Sequence, residues 1–264
     1  MPELPEVETL RSYLEAGALG RKINHVEVRE PRILKDTSTS RLGSALAGSC
    51  FTQTARRGKY LLVSTDRDCI LMLHFGMNGG LAFADESRPF PPWSRVAFLL
   101  DPGEYLHYLN KRLLGRVSIF NGTDINRIPE ISRLGPEPLD PSFDCREFVR
   151  ILDGRKTTIH QALMNQQLIA GIGNIYSDEI TFQAGVRPDR KVFELGPSEL
   201  ERLFESMKSS LDEAVRLSAD LDRRREEFLI PHRKPGGRCP LDHGPLVMIR
   251  IGGRSSYYCP VCQS

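Results

Sequence analysis

The first stretch of the chain carries apolar side chains at Val7, Leu10 and Leu14. Steps of three and four place them on one stripe, so residues 3–17 are predicted to form a helix. Pro5 suits a first helical turn, Glu3, Glu6 and Glu8 complement the positive end of the helix dipole, and Gly17 and Gly20 mark its end. From about residue 22 to 120 the period changes. Short runs such as 24–28, 59–63, 69–73 and 95–100 read as strands, with Gly, Pro, Asp and Asn turns between them. This much short-strand material predicts a β-sandwich or barrel. Residues 134–142 hold three prolines in nine positions, a linker composition. Beyond it the pattern turns helical at 145–153, 156–168, 174–184 and 197–217, and 238–264 returns to short strands between cysteine-bearing turns. The expected class is α+β and multidomain: a β-sandwich with its N-terminal helix over 1–133, a linker over 134–143, a helical domain over 144–235 and a small hairpin unit over 236–264.

Composition narrows the class without fixing a function. A chain of 264 residues buries a core without staples, and 40% hydrophobic with 27% charged residues is ordinary for a globular protein. No apolar run approaches the ~20 residues that cross a membrane. The acidic N-terminus is unlike a signal peptide, so a cytoplasmic protein with no membrane partner is expected. A net charge of +2 neither demands nor excludes nucleic acid, but positive charge clusters at Arg56-Arg57-Gly58-Lys59, at Lys111-Arg112 and at Arg223-Arg224-Arg225. Such clusters are also what a solvated face looks like. Of six cysteines, Cys50, Cys69 and Cys145 lie scattered in or near apolar runs and read as buried free thiols. Cys239, Cys259 and Cys262 crowd the last 26 residues, where metal binding is the natural reading.

The N-terminus carries a chemical possibility. Pro2 follows Met1, and removal of the initiator leaves a secondary α-amine. Such an amine titrates near ~7.7–8, against ~10.4 for lysine, so much of it is nucleophilic at neutral pH. Attack on a sugar C1′ gives an iminium ion, an electron sink from which base loss and phosphate elimination follow. Glu3 and Glu6, three positions apart, would share a helical face near the amine, one as general acid and one to orient nucleophile or water. Taken alone, a Met-Pro start followed by glutamates is equally the start of a capped helix.

The run Pro2-Glu3-Leu4-Pro5-Glu6-Val7-Glu8-Thr9 resembles the N-terminal signature of the formamidopyrimidine-DNA glycosylase and endonuclease VIII family. The resemblance recurs in order along the chain, at Arg56 to Leu62, His74 to Gly79, Leu134 to Leu139, Gly171 to Tyr176 and the closing cysteines, and it is nearest the formamidopyrimidine branch. It implies a helix–two-turns–helix DNA-binding domain over 144–235 and a zinc finger over 236–264. It implies a DNA glycosylase with abasic-site lyase activity in base excision repair, working as a monomer on damaged double-stranded DNA by β,δ-elimination. Pro2 would be the Schiff-base nucleophile, Glu3 the general acid, Glu6 an assistant, and Lys59 a phosphate holder and proton donor. His74, Asn174 and Arg254 would hold other phosphates around the extruded nucleotide, with Tyr176 in the same motif. Such a nucleotide must leave the stack to be reached, and phosphate contacts fix register without reading sequence. Gly171 and Gly173 would bring backbone amides close to a phosphate at a helix start.

The resemblance also assigns the side chains that fill the gap: Met77, Arg112 and Leu114. Leu114 departs from the aromatic residue of the branch, which puts its usual opposite-base preference in doubt. The zinc pattern departs as well. Cys259 and Cys262 form an intact pair, but Cys239 is followed by Asp242 at the expected position with His243 beside it. Imidazole is the commoner partner of thiolates in structural sites, so the expected set for one structural zinc ion is Cys239, His243, Cys259 and Cys262. Asp242 in place of His243, or an empty hairpin, are the alternatives. The segment from Leu217 to Cys239 is shorter than the branch's lesion-capping loop, and His160 stands where a lysine handles damaged purines. Both departures point away from 8-oxoguanine and toward ring-opened purines, oxidised pyrimidines or abasic sites. A non-catalytic binder of abasic or kinked DNA on the same scaffold is the competing reading.

Overall fold

The computed structural model describes residues 1–220 and 226–264; the basic cluster at 223–225 lies outside the described residues. The chain divides into two compact units. Residues 1–2 and 6–132 form the first, and residues 3–5 with 133–264 form the second. The proline-rich segment 134–142 therefore belongs with the helices. Two backbone hydrogen bonds tie it in, Gly135 N–H to the Gln166 carbonyl and Ala170 N–H to the Pro136 carbonyl.

The first unit is a sandwich of two four-stranded sheets. One runs in the order β1 (Ile23–Val28), β6 (Ser94–Leu100), β7 (Glu104–Asn110), β5 (Gly79–Asp85), and the other β2 (Phe51–Arg57), β3 (Tyr60–Thr65), β4 (Cys69–His74), β8 (Arg116–Asn121). The four short runs fall in β1, β3, β4 and β6, the second starting one residue early. Alternate residues Leu61 and Val63, Leu71 and Leu73, and Leu106 and Tyr108 enter the core, as the two-residue period of a strand requires. The helix α1 (Leu4–Ala18) adds Val7, Leu14 and Ala18, while Leu10 is half-buried. Within this unit Glu8 ties α1 to β2, binding Arg11 Nη2 at 2.7 Å and Arg56 Nε at 3.1 Å. Burial alone would raise the Glu8 carboxyl, but the two guanidiniums outweigh it and hold it below its ordinary value. The short helices α2 (Thr39–Leu46) and α3 (Pro129–Ser132) complete the unit. Cys50, Cys69 and Cys145, expected as buried thiols, are all half-buried.

In the second unit α4 (Cys145–Leu152), α5 (Ile159–Met164), α6 (Asn174–Gln183) and α7 (Pro197–Arg216) pack around Phe148, Leu163, Tyr176, Ile180, Met207 and Leu211. The helix expected over 156–168 is only α5. Thr158 caps its start through a capping box with Gln161, and the chain leaves it at Asn165. Then β9 (Val247–Ile251) and β10 (Arg254–Tyr258) form a hairpin whose Gly252-Gly253 turn has φ of 56° and 79°. Two consecutive positive φ values are the tight hairpin turn that glycine permits.

A buried carboxylate pins that hairpin to α6. Asp178, fully buried, accepts from the Ser256 hydroxyl at 2.6 Å, the Tyr257 N–H at 3.0 Å and Arg233 Nε at 2.8 Å. Removing it would leave a half-buried guanidinium, the Ser256 hydroxyl and the Tyr257 N–H short of their acceptor. Asp178→Ala is expected to lower unfolding stability by about 3–5 kcal/mol, read from urea titration.

Candidate active site and nucleic-acid interface

Glu3 leaves the helix predicted for it, because α1 starts only at Leu4. Its side chain is 2% exposed and grouped with the second unit, where it meets the first turn of α6. Glu3 Oε2 accepts from the Gly173 N–H at 2.7 Å and the Tyr176 N–H at 3.2 Å, and Oε1 accepts from the Ile175 N–H at 2.9 Å. Those amides are donors that a helix start cannot satisfy internally, and an anion is welcome there. Glu3 is thus held in one pose directly after Pro2, which is half-buried. Glu6 lies half-buried in the first turn of α1, so the expected shared helical face of Glu3 and Glu6 does not form.

This arrangement corrects the reading of the Gly171-Ile172-Gly173-Asn174 turn. The amide of Gly173 is taken up by Glu3 instead of being offered to a phosphate. Gly171 has its own reason: at φ 86°, a Cβ there would lie 2.8 Å from the Leu4 Cβ, and its carbonyl accepts the Leu4 N–H at 3.0 Å. Asn174 is half-buried, and its Nδ2 donates to the Ser255 carbonyl at 2.8 Å. That bond fixes it against the strand that begins with exposed Arg254. Tyr176 does not reach the surface. Its ring is fully buried in the helical core, and its N–H donates to Glu3. His160 is likewise 1% exposed, with Nε2 3.3 Å from Asp178 Oδ1 inside the helical unit.

In the first unit Lys59 follows Gly58 in the β2–β3 turn and is 6% exposed, its stem packed in protein. Gly58, at φ 56°, allows the turn, and its carbonyl accepts from Arg56 at 3.1 Å. His74 ends β4, and its ring lies 5.1 Å from that of Tyr60. Burial pushes its pKa down to about 4, helped by the charges of Arg116 and Lys59. The neutral ring accepts the Gly76 N–H at Nδ1 (3.4 Å), which leaves Nε2 as the donor. Met77, Arg112 and Leu114 come together on two neighbouring loops. Arg112 Nη1 lies 3.3 Å from Met77 Sδ. Met77 is 42% and Leu114 49% exposed, a costly presentation of apolar surface unless something covers it.

The cysteine cluster forms as expected except for one member. Donor atoms of Cys239, Asp242, Cys259 and Cys262 all lie within 4.8 Å of one another. Cys239 Sγ and Cys262 Sγ are 3.7 Å apart, near the ~3.8 Å edge that follows from ~2.3 Å zinc–sulfur bonds in a tetrahedron. Cys259 Sγ is 3.2 Å from Asp242 Oδ2. The Leu241 and Cys262 amides each point at a sulfur from 3.4 Å, the outer contacts that orient thiolate ligands. Burial and the neighbouring thiols push Cys262 up to about 12, a crowding that a dication would relieve by taking the thiolates. The donor set therefore fits zinc, with Asp242 replacing the expected His243. The reason is local: Asp242 Oδ1 accepts the Gly244 N–H at 2.9 Å, which turns its other oxygen toward the sulfurs. His243 sits at φ 60° with its side chain exposed.

Residues 1–117 match the family described as Formamidopyrimidine-DNA glycosylase N-terminal domain, and residues 134–224 match the Formamidopyrimidine-DNA glycosylase H2TH domain. The formamidopyrimidine-DNA glycosylase of Moorella thermoacetica is 38% identical over 260 residues, covering 95% of each chain. That of Nitrosococcus oceani is 36% identical over 276 residues and covers 100% of both. Among solved structures, wild-type Lactococcus lactis Fpg in complex with DNA containing N7-benzyl-Fapy-dG shares a TM-score of 0.90 at 29% identity, covering 100% of both chains. The Lactococcus lactis enzyme non-covalently bound to DNA containing an abasic site gives the same TM-score and identity over 99% of each. By identity along its whole length, by both domain matches and by its fold, the chain belongs to the formamidopyrimidine-DNA glycosylase family.

Proposed function

We propose that this protein is a base-excision-repair DNA glycosylase and abasic-site lyase that removes oxidised or ring-opened bases from double-stranded DNA through the amine of Pro2. The observation that carries the reading is Glu3, immobilised by three amides at the start of α6 in the position directly after that amine. A nucleophile and an acid fixed on adjacent residues are what opening a sugar ring needs. The amine attacks C1′ as the base leaves, the proton it loses passes to the Glu3 carboxylate, and Glu3 hands that proton to the ring oxygen as the C1′–O bond of the sugar ring breaks and the iminium forms. Loss of a C2′ proton then expels the 3′ phosphate, and a second elimination expels the 5′ phosphate. Glu6 assists from the first turn of α1. Lys59, His74, Asn174 and Arg254 hold phosphates, while Met77, Arg112 and Leu114 occupy the space of the extruded nucleotide. Tyr176 contributes through its backbone amide.

Cys239, Asp242, Cys259 and Cys262 would hold one structural zinc ion, whose chemistry is to cross-link the turn that carries the hairpin and Arg254. Among the described residues no helix is long and apolar enough to cross a membrane. The relatives named above are bacterial, and the cytoplasm, where bacterial DNA lies, is the compartment proposed for a monomer.

The decisive test is borohydride trapping on duplexes holding an abasic site, 8-oxoguanine, a ring-opened purine or an oxidised pyrimidine. A covalent adduct mapped to the Pro2 peptide is expected. No adduct from protein shown to lack Met1 would leave only a damage-binding protein. For the metal, Asp242→Ala is expected to release zinc to a competing chelator faster than the parent, and His243→Ala to retain it; the reverse order would restore His243 as ligand. The depressed His74 has a pH consequence. Between its ordinary 6.5 and about 4 the unfolded chain takes up the proton more readily than the folded one. Its contribution to stability is therefore complete above pH 6.5 and is lost as pH falls toward about 4. His74→Gln is expected to show a smaller drop in urea midpoint over that window than the parent.

A further inference from the structure

The exposed apolar edge of the sandwich unit stands on two loops, one following β4 and carrying Met77, the other following β7 and carrying Arg112 and Leu114. Between their side chains Arg112 Nη1 approaches Met77 Sδ at 3.3 Å. The connection runs through Asn110, the last residue of β7, which is 1% exposed. Its Nδ2 donates to the Phe75 carbonyl at 2.8 Å. Its Oδ1 accepts the Leu114 N–H at 3.1 Å and, less closely, the Gly115 N–H at 3.4 Å. Its backbone is equally occupied, the N–H donating to the Trp93 carbonyl at 3.0 Å and the carbonyl accepting from Arg95 Nε at 2.8 Å. A carboxamide offers a donor and an acceptor from one planar group, which neither a carboxylate nor an alkyl side chain does.

The surrounding backbone is built to this contact. A Cβ at Gly115 would lie 2.4 Å from Asn110 Nδ2 and 2.0 Å from the Tyr108 hydroxyl, and one at Gly79 would lie 2.3 Å from the Phe75 carbonyl oxygen. A Cβ at Gly76 would sit 2.4 Å from the Leu114 carbonyl carbon. The loops thus meet backbone to backbone, and glycine is the residue that permits it. Trp93 and Leu113, at φ of 62° and 55°, are held in the left-handed region on either side of Asn110. Non-glycine residues stay there only where neighbours impose it.

We propose that Asn110 is a positioning residue for damage recognition: its buried carboxamide couples the Met77 loop to the Arg112–Leu114 loop, so that both enter the duplex as one wedge. The proposal rests on the base-extruding reading given above. Extruding a nucleotide costs unstacking energy, and side chains that must first be ordered spend binding energy on that ordering. Asn110, itself out of reach of DNA, acts through the three side chains it places.

The test uses the full chain with Asn110→Ala and Asn110→Asp. Asn110→Ala is expected to lower kcat/KM for excising a ring-opened purine from a paired duplex about tenfold more than it lowers cleavage of a preformed abasic site, the scale of leaving buried backbone groups unpaired. In parallel, 2-aminopurine opposite an abasic-site analogue reports insertion of the wedge. Its emission should rise with the parent and rise less with Asn110→Ala when DNA is saturated with protein. Asn110→Asp keeps the acceptor but loses the donor, and should fall between; it also serves if Asn110→Ala does not fold. Equal losses in the two activities, or an unaltered 2-aminopurine response in a folded variant, would reduce Asn110 to a structural role and overturn the proposal. A parent chain that forms no borohydride adduct and leaves 2-aminopurine unperturbed would instead overturn the functional reading beneath it.

Discussion

A helix buried along its length cannot leave polar groups unpaired, and α6 runs through its unit carrying Ser177, Asp178, Glu179 and Thr181, each fully buried. The solution is to recruit the rest of the unit as partners. Its first-turn amides are met by Glu3, and Asp178 takes the Ser256 hydroxyl, the Tyr257 amide and Arg233. Glu179 takes the Leu229 and Ile230 amides. The residues proposed for chemistry and for phosphate contact in this unit therefore inherit their positions from one helix. Glu3 is anchored at its start, Asn174 is its first residue, and Arg254 opens the strand that Asp178 holds two residues further on. His160 and Tyr176 are likewise buried in the interior that this helix organises.

In the sandwich unit the corresponding constraint is backbone proximity. Glycines at 76, 79 and 115 stand where any side chain would strike a neighbouring carbonyl or hydroxyl, so the loops after β4 and β7 approach more closely than ordinary packing allows. Close approach brings unpaired backbone groups with it. Asn110 and the Tyr108 hydroxyl, which donates to the His74 carbonyl at 2.7 Å, satisfy them. The exposed Met77 and Leu114 are thereby displayed on a firm base, which is the condition for apolar side chains to serve recognition without collapsing onto the protein.

The cluster of Cys239, Asp242, Cys259 and Cys262 illustrates how turn geometry decides which side chains meet. Chemistry favours imidazole over carboxylate beside three thiolates, and His243 is one residue from the right place. The turn closes through backbone bonds, Cys239 N–H to the Gly244 carbonyl and His243 N–H to the Cys239 carbonyl, and within it the Gly244 amide holds one Asp242 oxygen so that the other faces the sulfurs.

Much of this protein was legible in its sequence, for identifiable reasons. Period and punctuation located α1, α4, α6, α7 and the apolar strands, because burying one face imposes a repeat on the chain. Motifs in order carried the family, and the thiols of Cys239, Cys259 and Cys262 pointed to the cluster that the fold brings together. What the sequence could not contain are relations between distant residues. The sheet order β1-β6-β7-β5, the capture of Glu3 by α6, the shortening of the 156–168 helix to α5, the choice of Asp242 over His243 and the bridging role of Asn110 all depend on which groups meet across space. Local preference, read along the chain, determined the elements and the chemical inventory. Only the folded state decided which donors and acceptors were left to find one another, since unpaired polar groups become costly once water is removed.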